Sequence, residues 1–173
     1  MDISAYIRDV PDFPKPGVLF KDITPLLQNG PVFRQVIDGW KKRFEGRNID
    51  AIVGVDARGF IFGTALAYAL VLPFVPVRKK GKLPHDTISE DFDLEYGTDT
   101  LEIHVDAVSD GHRVVLVDDL LATGGTMAAV VRLVEKLGAE IVEIAFVVEL
   151  TFLNGRTRLG DRPVSSLIQY DAE

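Results

Sequence analysis

The 173-residue chain contains no cysteine. Disulfide bonds, zinc sites built from thiolates and a cysteine nucleophile are therefore excluded, and a reducing compartment is permitted. We expect a cytoplasmic protein. The N-terminal sequence MDISAYIRDVPDFP is mixed and charged, unlike a signal peptide. The length, with 47% hydrophobic and 26% charged residues, suits one globular domain spanning residues 1–173.

An excess of positive charge is also missing. The chain has 19 Lys and Arg against 26 Asp and Glu, which gives a net charge of −7. This balance argues against general binding to nucleic acid or to an anionic membrane. An anionic ligand would need a local group of cations, so a basic cluster in this chain is informative.

No uninterrupted hydrophobic run makes a convincing transmembrane helix. The uncharged stretch from Gly59 to Val77 has 19 residues, which is marginal for crossing a bilayer, and Pro73 and Pro76 interrupt it. Because the residue before a proline is biased away from helical geometry, we predict a buried helix to about Val71 and then a short strand.

Internal repeats and low-complexity linkers are absent, and apolar strands alternate with amphipathic helices. This alternation predicts an α/β fold whose central, mostly parallel sheet is flanked by helices. The predicted helices are Val32–Phe44, Phe60–Val71 and Thr126–Leu137, and the predicted strands are Ala51–Val55, Phe74–Arg78, Val114–Val117 and Ile141–Leu150. Residues 79–110 break the rhythm and predict a flexible polar loop followed by a hairpin that turns at Gly97.

Two common phosphate-binding signatures, GxxxxGK[ST] and GxGxxG, do not occur, but VVLVDDLLATGGT holds another glycine-rich turn. Asp118 and Asp119 are expected just past the end of a central strand, where parallel α/β sheets bind ligands. The turn then opens a helix, so free N–H groups with Thr123 and Thr126 could hold a phosphate. The carboxylates could accept hydrogen bonds from sugar hydroxyls, which suits a ribose 5-phosphate. A plain βα turn, with one aspartate as the helix cap, remains an alternative.

Two further segments supply positive charge. AIVGVDARGF places Asp56 after a strand and Arg58 at the start of a helix, which suits a second and more highly charged phosphate group. Alternatively, Arg58 pairs with Asp56 or with another acid. VRKKGKLP contains the cations Arg78, Lys79, Lys80 and Lys82. It predicts either a mobile arm over an anionic ligand or only a solvated loop.

The chain resembles the adenine phosphoribosyltransferases, which are type I phosphoribosyltransferases, along nearly its whole length. VVLVDDLLATGGT matches the phosphoribosyl-diphosphate motif of the wider superfamily. The resemblance to the adenine branch rests on FPKPGVLFKDITPLL, DARGFIFG, RKKGKLP, LEYG with LEIH, VELTFLNGR and SLIQY. It implies the type I phosphoribosyltransferase fold, with a small base-reading hood segment at residues 1–30.

The resemblance also implies which residues bind the sugar phosphate and the leaving group. The 5′-phosphate and ribose would be held by Asp118, Asp119, Ala122, Thr123, Gly124, Gly125 and Thr126. The diphosphate would be held by a second turn and two lysines, namely Asp56, Ala57, Arg58, Gly59, Lys79 and Lys82. Among these, Arg58 is implied to be catalytic because it contacts the leaving group.

The same resemblance assigns the base site. Leu19, Phe20 and Lys21 would pack on and read adenine, with Lys21 acting mainly through its backbone. Glu95 in LEYG matches the family's candidate catalytic acid or base near the reacting nitrogen, and Tyr96 is its neighbour on a closing loop. The family is homodimeric, and its Mg²⁺ is held largely by the diphosphate substrate and not by a direct set of protein ligands.

The implied reaction joins adenine to 5-phosphoribosyl 1-diphosphate and yields AMP and diphosphate. Breaking the C1′–O bond builds negative charge on the diphosphate, which Arg58, the lysines and Mg²⁺ could stabilise. Glu95 could accept the proton that adenine loses.

Two alternatives stay open. One is transfer to guanine, xanthine or orotate, against which FPKPGVLFKDI argues. The other is a non-catalytic sensor of phosphoribosyl diphosphate. A sensor often carries an appended nucleic-acid domain or a basic face, which the length and a pI near 5.0 lead us not to expect. The presence of Arg58 and Glu95 also favours an enzyme.

Overall fold

The structure of the chain is a computed structural model, and it describes residues 2–93 and 98–172. Its strands are β1 (Arg8–Val10), β2 (Phe20–Asp22), β3 (Ala51–Val55), β4 (Phe74–Lys79), β5 (Thr87–Asp93), β6 (Thr98–His104), β7 (Arg113–Leu121), β8 (Glu140–Leu150) and β9 (Val164–Tyr170). Its α-helices are α1 (Thr24–Gln28), α2 (Gly30–Phe44), α3 (Arg58–Leu70) and α4 (Gly125–Lys136). Short 3-10 turns cover Ile3–Tyr6, Thr151–Leu153 and Gly155–Leu159.

A seven-stranded sheet forms the centre, in the order β5-β6-β4-β3-β7-β8-β9. Neighbouring strands pair in parallel along the run β4-β3-β7-β8-β9. The hairpin of β5 and β6 is antiparallel and joins the sheet where β6 pairs with β4. A separate antiparallel pair, β1 with β2, lies near the N-terminus. The predicted α/β fold with a mostly parallel central sheet flanked by helices is confirmed.

The predicted helices and strands are all present, and most of their ends shift by only one or two residues. One end was wrong. The prediction ended the strand of VVLVDD at Val117, whereas β7 continues to Leu121 because the long β8 lies alongside and pairs with its last residues. Asp118 and Asp119 therefore lie inside the strand and not just past it.

The hairpin also differs from the prediction. Its first strand begins at Thr87, so the polar loop after β4 is shorter than expected, and the hairpin extends the main sheet. The predicted turn at Gly97 lies outside the described residues. The pattern did not predict β1, β2 or β9, which are short or half-exposed strands.

The sheet buries a hydrophobic cluster on each face. Helix α4 and the β5–β6 hairpin cover one face, with Met127, Leu133 and Ile103 in its core. Helices α2 and α3 cover the other, where Trp40 packs edge-to-face on Phe62 with ring centres 6.0 Å apart. Successive residues of β7 alternate between the two clusters, as the two-residue repeat of a strand requires. Trp40 is thus a packing residue of this face.

The uncharged stretch of residues 59–77 is divided between α3 and β4. Helix α3 ends where Val71 adopts a left-handed conformation with φ of 57°, and β4 begins three residues later. Within residues 2–93 and 98–172, no helix has the length and apolarity needed to span a membrane.

The ring of Phe74 fills the gap between β3 and α3. A Cβ atom added to Gly63 would lie 2.8 Å from Phe74 Cε2, and one added to Gly54 would lie 2.6 Å from the same atom. The ring is held from another side by Phe60, whose ring centre is 5.4 Å away. Both glycines are thus required by the close packing of α3 on the sheet.

We expect Gly63→Ala to lower the free energy of unfolding by about 1–3 kcal/mol, the usual cost of overpacking. Phe74→Leu should relieve the clash, so the double variant should lose less stability than the two single losses added together. Urea denaturation of the four proteins measures this coupling.

The matched control is Gly39→Ala in α2, where an added Cβ meets no atom within 4 Å. There we expect a gain of about 0.4–1 kcal/mol, because alanine restricts the unfolded chain. Strictly additive losses in the Gly63 and Phe74 cycle would contradict this account of α3 packing.

Candidate functional site

A cleft opens where β3 and β7 part. The two strands pair from Ala51 with Val114 to Gly54 with Val117, after which the chain leaves β3 and turns into α3. Strand β7 continues to Leu121, and among the described residues this last part pairs with β8 on its other side alone. The result is a cleft of about 190 Å³, lined by Arg58, both aspartates and residues 120–127. It lies at the carboxyl end of the parallel strands, where this class of sheet binds ligands.

The two aspartates have distinct surroundings. The carboxylate of Asp119 is almost fully buried, and its Oδ2 lies 2.9 Å from Nε of Arg58. The N–H of Arg58 does not point at this oxygen, so Asp119 Oδ2 stays without a well-aligned hydrogen bond. Asp118 is half-buried, and its Oδ1 accepts a hydrogen bond of 2.9 Å from the N–H of Asp119. The structure thus decides between the partners left open for Arg58, and Asp56 is not its partner.

Both carboxyl groups bind protons more readily than an ordinary aspartate. Burial raises the pKa of Asp118 well above its usual value, and the adjacent Asp119 carboxyl adds to this rise. Burial also raises the pKa of Asp119, against the opposing effect of the Arg58 guanidinium. Adjacent buried carboxyls that are costly to ionise are typical of a ligand site and not of a stabilising feature.

The helix after the cleft begins without a side-chain cap. Its cap residue is Gly124, with φ of 81°, and no side chain accepts a hydrogen bond there. The first helical bond runs from the N–H of Ala128 to the carbonyl of Gly124. The N–H groups of residues 125–127 therefore have no partner within the helix and border the cleft, which suits an anion. The alternative in which an aspartate caps this helix is wrong.

Glycine allows α3 to approach β7 at the cleft. A Cβ atom on Gly59 would lie 2.8 Å from the carbonyl oxygen of Val117 and 2.9 Å from Oδ1 of Asp118. Helix α3 also starts without a side-chain cap, at Ala57, so its first N–H groups are likewise unpaired within the helix. The predicted turn of residues 56–59 thus lies beside the aspartates.

Two cations of VRKKGKLP, Arg78 and Lys79, form ion pairs with acids that do not line the cleft. Nε of Arg78 lies 2.8 Å from Oδ2 of Asp56, and Nζ of Lys79 lies 2.8 Å from Oδ2 of Asp99. The Lys79 ammonium lowers the pKa of Asp99 through this contact. Lys82 is exposed on the following turn. Of the predicted cations, Arg58 is the one that lines the cleft among the described residues.

The predicted hood segment, residues 1–30, places the ring of Phe20 beside Arg58 of the cleft. Phe20, at the start of β2, lies with its ring centre 5.4 Å from Cζ of Arg58. Leu19 beside it is half-buried. The side chain of Lys21 is buried and points elsewhere, with Nζ 2.7 Å from Oδ1 of Asp9 and 4.1 Å from the ring centre of Tyr170. This placement fits a role for Lys21 through its backbone.

Two predicted site residues lie outside the described residues, and the sequence did not predict several residues near the site. Glu95 and Tyr96 fall in residues 94–97, outside the described residues. The sequence did not predict that Asp99 pairs with Lys79. Nor did it predict a role for Glu102, whose Oε2 accepts a hydrogen bond of 2.9 Å from the N–H of Gly81. It also missed Gly155, which packs behind Ala122. The glycine of VELTFLNGR was the available signal, but no local pattern says what it touches.

The donor set near the cleft fits a metal ion that arrives with its ligand. Among the described residues, no group of three or more His, Asp or Glu could hold a metal ion by itself. Mg²⁺ commonly takes one or two carboxylates together with substrate phosphates and water. The adjacent Asp118 and Asp119, with a buried oxygen lacking a well-aligned hydrogen bond, match that pattern.

Comparison with known proteins first defines the class. A family profile described as the phosphoribosyl transferase domain matches residues 22–165. An adenine phosphoribosyltransferase of Roseiflexus sp. (strain RS-1) is 56% identical over 169 residues, covering 98% of this chain and 98% of that protein. The chain belongs to the adenine phosphoribosyltransferase family.

Solved structures agree in fold along nearly the whole chain. A crystal structure of adenine phosphoribosyltransferase from Thermoanaerobacter pseudethanolicus superposes with a TM-score of 0.93 at 55% identity, covering 97% of this chain and 98% of that one. The Saccharomyces cerevisiae enzyme, complexed with an imino-altritol bisphosphate and adenine, superposes with a TM-score of 0.92 at 44% identity, covering 95% and 96%.

We expect Asp118→Asn to raise the melting temperature of the ligand-free protein near neutral pH. A carboxyl whose pKa is higher in the folded than in the unfolded chain makes the folded state less stable as pH rises through the interval between the two values. Asparagine removes this ionisation and keeps Oδ1 as an acceptor. The gain should therefore shrink as pH falls toward about 4, the range of an ordinary aspartate.

Thermal denaturation across this pH range measures the effect, with Asp38→Asn on the exposed face of α2 as the control. The control should show no comparable pH-dependent gain. A lower melting temperature for Asp118→Asn at neutral pH would show that the ionised carboxylate stabilises the fold.

Proposed function

We propose that this chain transfers the 5-phosphoribosyl group of 5-phosphoribosyl 1-diphosphate to adenine, giving AMP and diphosphate in purine salvage. The observation that carries the proposal is the cleft in which an uncapped helix, two adjacent carboxyls and a guanidinium meet. Phosphate, sugar hydroxyls and a second anionic group are what these three features bind. The relatives named above carry out this class of reaction with adenine.

The 5′-phosphate occupies the turn of Ala122, Thr123, Gly124, Gly125 and Thr126. Free N–H groups at the start of α4 donate to its oxygens, and the helix dipole favours its negative charge. The threonine hydroxyls add donors. This fixed cradle holds the sugar while its C1′ carbon reacts.

The ribose hydroxyls donate hydrogen bonds to Asp118 and Asp119. As the bond from C1′ to the diphosphate breaks, positive charge develops on the ribose ring, and the nearby carboxylates favour it. Burial raises the pKa of both carboxyls, and a nearby cation opposes that rise by favouring their ionised form. Arg58 supplies part of that charge in the free protein.

The diphosphate binds at Asp56, Ala57, Arg58 and Gly59, beside the free N–H groups of α3. Arg58 is the catalytic residue here, because it neutralises the negative charge that grows on the leaving oxygen. Lys79 and Lys82 add charge once Lys79 leaves Asp99. Mg²⁺ carried by the diphosphate, with Asp118 and Asp119 as the nearby carboxylates, would supply further neutralisation of the leaving group.

Adenine stacks against Phe20 and Leu19 and is read by the backbone of Lys21. Its attacking nitrogen gives up a proton as the new bond to C1′ forms, and Glu95 is the base that accepts it. Tyr96, the next residue in the sequence, is proposed to help exclude water from the reacting carbon. Residues 1–30 act as the hood and residues 79–110 as the loop and hairpin of one domain. A cytoplasmic location is part of this proposal.

We also propose that two copies of the chain associate through the outer face of α3. Tyr68 and Val71 are 88% and 91% exposed, and Ile61 lies on the same side of the helix. A second copy would cover this apolar face. Sedimentation should show a dimer for the native chain and a smaller species for Tyr68→Glu; a native monomer at all concentrations would contradict the proposal.

A base panel tests the reaction. The protein, Mg²⁺ and 5-phosphoribosyl 1-diphosphate are mixed separately with adenine, hypoxanthine, guanine, xanthine and orotate, and nucleotide and diphosphate are measured. We expect AMP from adenine alone. Turnover of another base would retain the phosphate site and overturn the role of Leu19, Phe20 and Lys21. Binding of the diphosphate substrate without any turnover would favour a sensor.

We expect Arg58→Ala to lower kcat by about 10²–10³-fold, the usual loss when one charge-stabilising donor is removed. The protein should remain folded, because the Arg58 side chain is 42% exposed and lies outside the two hydrophobic clusters. Steady-state kinetics and thermal denaturation together separate these effects.

The control is Arg34→Ala, which removes an exposed guanidinium on α2 that pairs with Asp38. It should leave kcat unchanged. Near-normal turnover by Arg58→Ala would remove Arg58 from the catalytic residues.

A further inference from the structure

A short segment packs directly behind the phosphate turn. Gly155 is the first residue of the 3-10 turn Gly155–Leu159. A Cβ atom added to it would lie 2.3 Å from the carbonyl oxygen of Ala122. In the reverse direction, a Cβ atom added to Gly124 would lie 2.4 Å from the carbonyl oxygen of Gly155. Two backbones therefore touch at these glycines, and the turn cannot shift toward residue 155.

Arg156, the residue after Gly155, is held by the buried carboxylate of Glu149. Arg156 makes a two-pronged ion pair with Glu149, with both N–O distances 2.6 Å. Glu149 lies at the end of β8, opposite Leu121 of β7, and is only 3% exposed. Ser166 of β9 donates a further hydrogen bond to it at 2.5 Å. The Arg156 guanidinium lowers the pKa of Glu149, so the pair is ionised at neutral pH.

The contact and the ion pair form one continuous support. Glu149 is fixed by the register of β7, β8 and β9, Arg156 is fixed by Glu149, and Gly155 is attached to Arg156. Gly155 in turn sets how far Ala122 and Gly124 can move. None of these residues lines the cleft apart from the turn itself.

We propose that Arg156 and Glu149 are positioning residues for the 5′-phosphate: they press Gly155 against the turn of residues 122–124 and so keep its N–H groups aimed into the cleft. The proposal rests on the function proposed above, because it concerns the same phosphate turn. Phosphate binding by backbone donors depends on fixed geometry, and a small displacement of such donors is costly.

The main test is Arg156→Lys, which keeps the charge but loses the two-pronged geometry. We expect about tenfold weaker binding of ribose 5-phosphate, because the turn behind it is less well held. Binding of inorganic diphosphate with Mg²⁺ should stay unchanged, since that group occupies the other turn. In turnover, KM for 5-phosphoribosyl 1-diphosphate should rise while kcat changes little. Isothermal titration calorimetry and steady-state kinetics give these values.

A second variant, Gly155→Ala, pushes directly on the turn. Its added Cβ has no room beside the carbonyl of Ala122, so ribose 5-phosphate binding should weaken more than in Arg156→Lys. If this variant fails to fold, Arg156→Lys still decides the question.

The matched control is Glu143→Gln at the opposite end of β8. Glu143 is 2% exposed, and it binds Arg43, Arg47 and Ser165 at 2.5 to 2.6 Å. It is therefore a similar buried carboxylate on the same strand, but away from the phosphate turn. Glu143→Gln should lower the melting temperature and leave the affinity for ribose 5-phosphate unchanged.

The outcomes distinguish a failure of the proposed function from a failure of the positioning role. If the native chain does not bind ribose 5-phosphate, the proposed function fails and the positioning role fails with it. If the native chain binds it and Arg156→Lys binds it equally well, only the positioning role is overturned. Equal weakening by Glu143→Gln would also overturn it, because a general loosening of β8 would then explain the effect.

Discussion

The parting of β3 from β7 is the constraint on which the rest of the site depends. As long as the strands pair, their edges satisfy one another, and no ligand can enter. After the pair of Gly54 and Val117, the chain turns away into α3, and β7 runs on for four residues with one edge free. Gly59 lets α3 come close enough that its first turn and the aspartates face the same cleft. Two helix N-termini and two carboxyls are thereby brought together, and each is a group that a folded chain normally pairs or exposes.

This arrangement costs stability where it creates a binding site. Burial raises the proton affinity of both carboxyls, and Asp119 adds to the rise at Asp118. Helices α3 and α4 also begin without the side-chain cap that α2 has from Asn29. The two hydrophobic clusters on the faces of the sheet offset that cost. Residues that lower the stability of the fold are expected at functional sites, where they are retained for binding or catalysis.

Strand β8 connects the stable part of the molecule with the site. It carries a buried glutamate near each end, and each is bound by arginine and by a serine of β9. At one end the partners come from α2 and its C-terminal extension, so the carboxylate joins that region to the sheet. At the other end Arg156 follows Gly155, which touches the turn of residues 122–124. The same chemical device thus serves packing at Glu143 and, in our proposal, ligand geometry at Glu149.

The sequence by itself determined the main elements and the residue types of the proposed phosphate turn. Helical spacing located α2, α3 and α4, and continuous apolar runs located the inner strands. VVLVDDLLATGGT holds the proposed sugar-phosphate site in one contiguous stretch. These are local properties, governed by side-chain period and by turn chemistry.

Only the tertiary structure decided which distant groups meet. Arg58 pairs with Asp119 and not Asp56, Arg78 takes Asp56, and Gly155 packs behind Ala122. Strand order and register set these partners, and both arise from packing over the whole sheet, which no local pattern encodes.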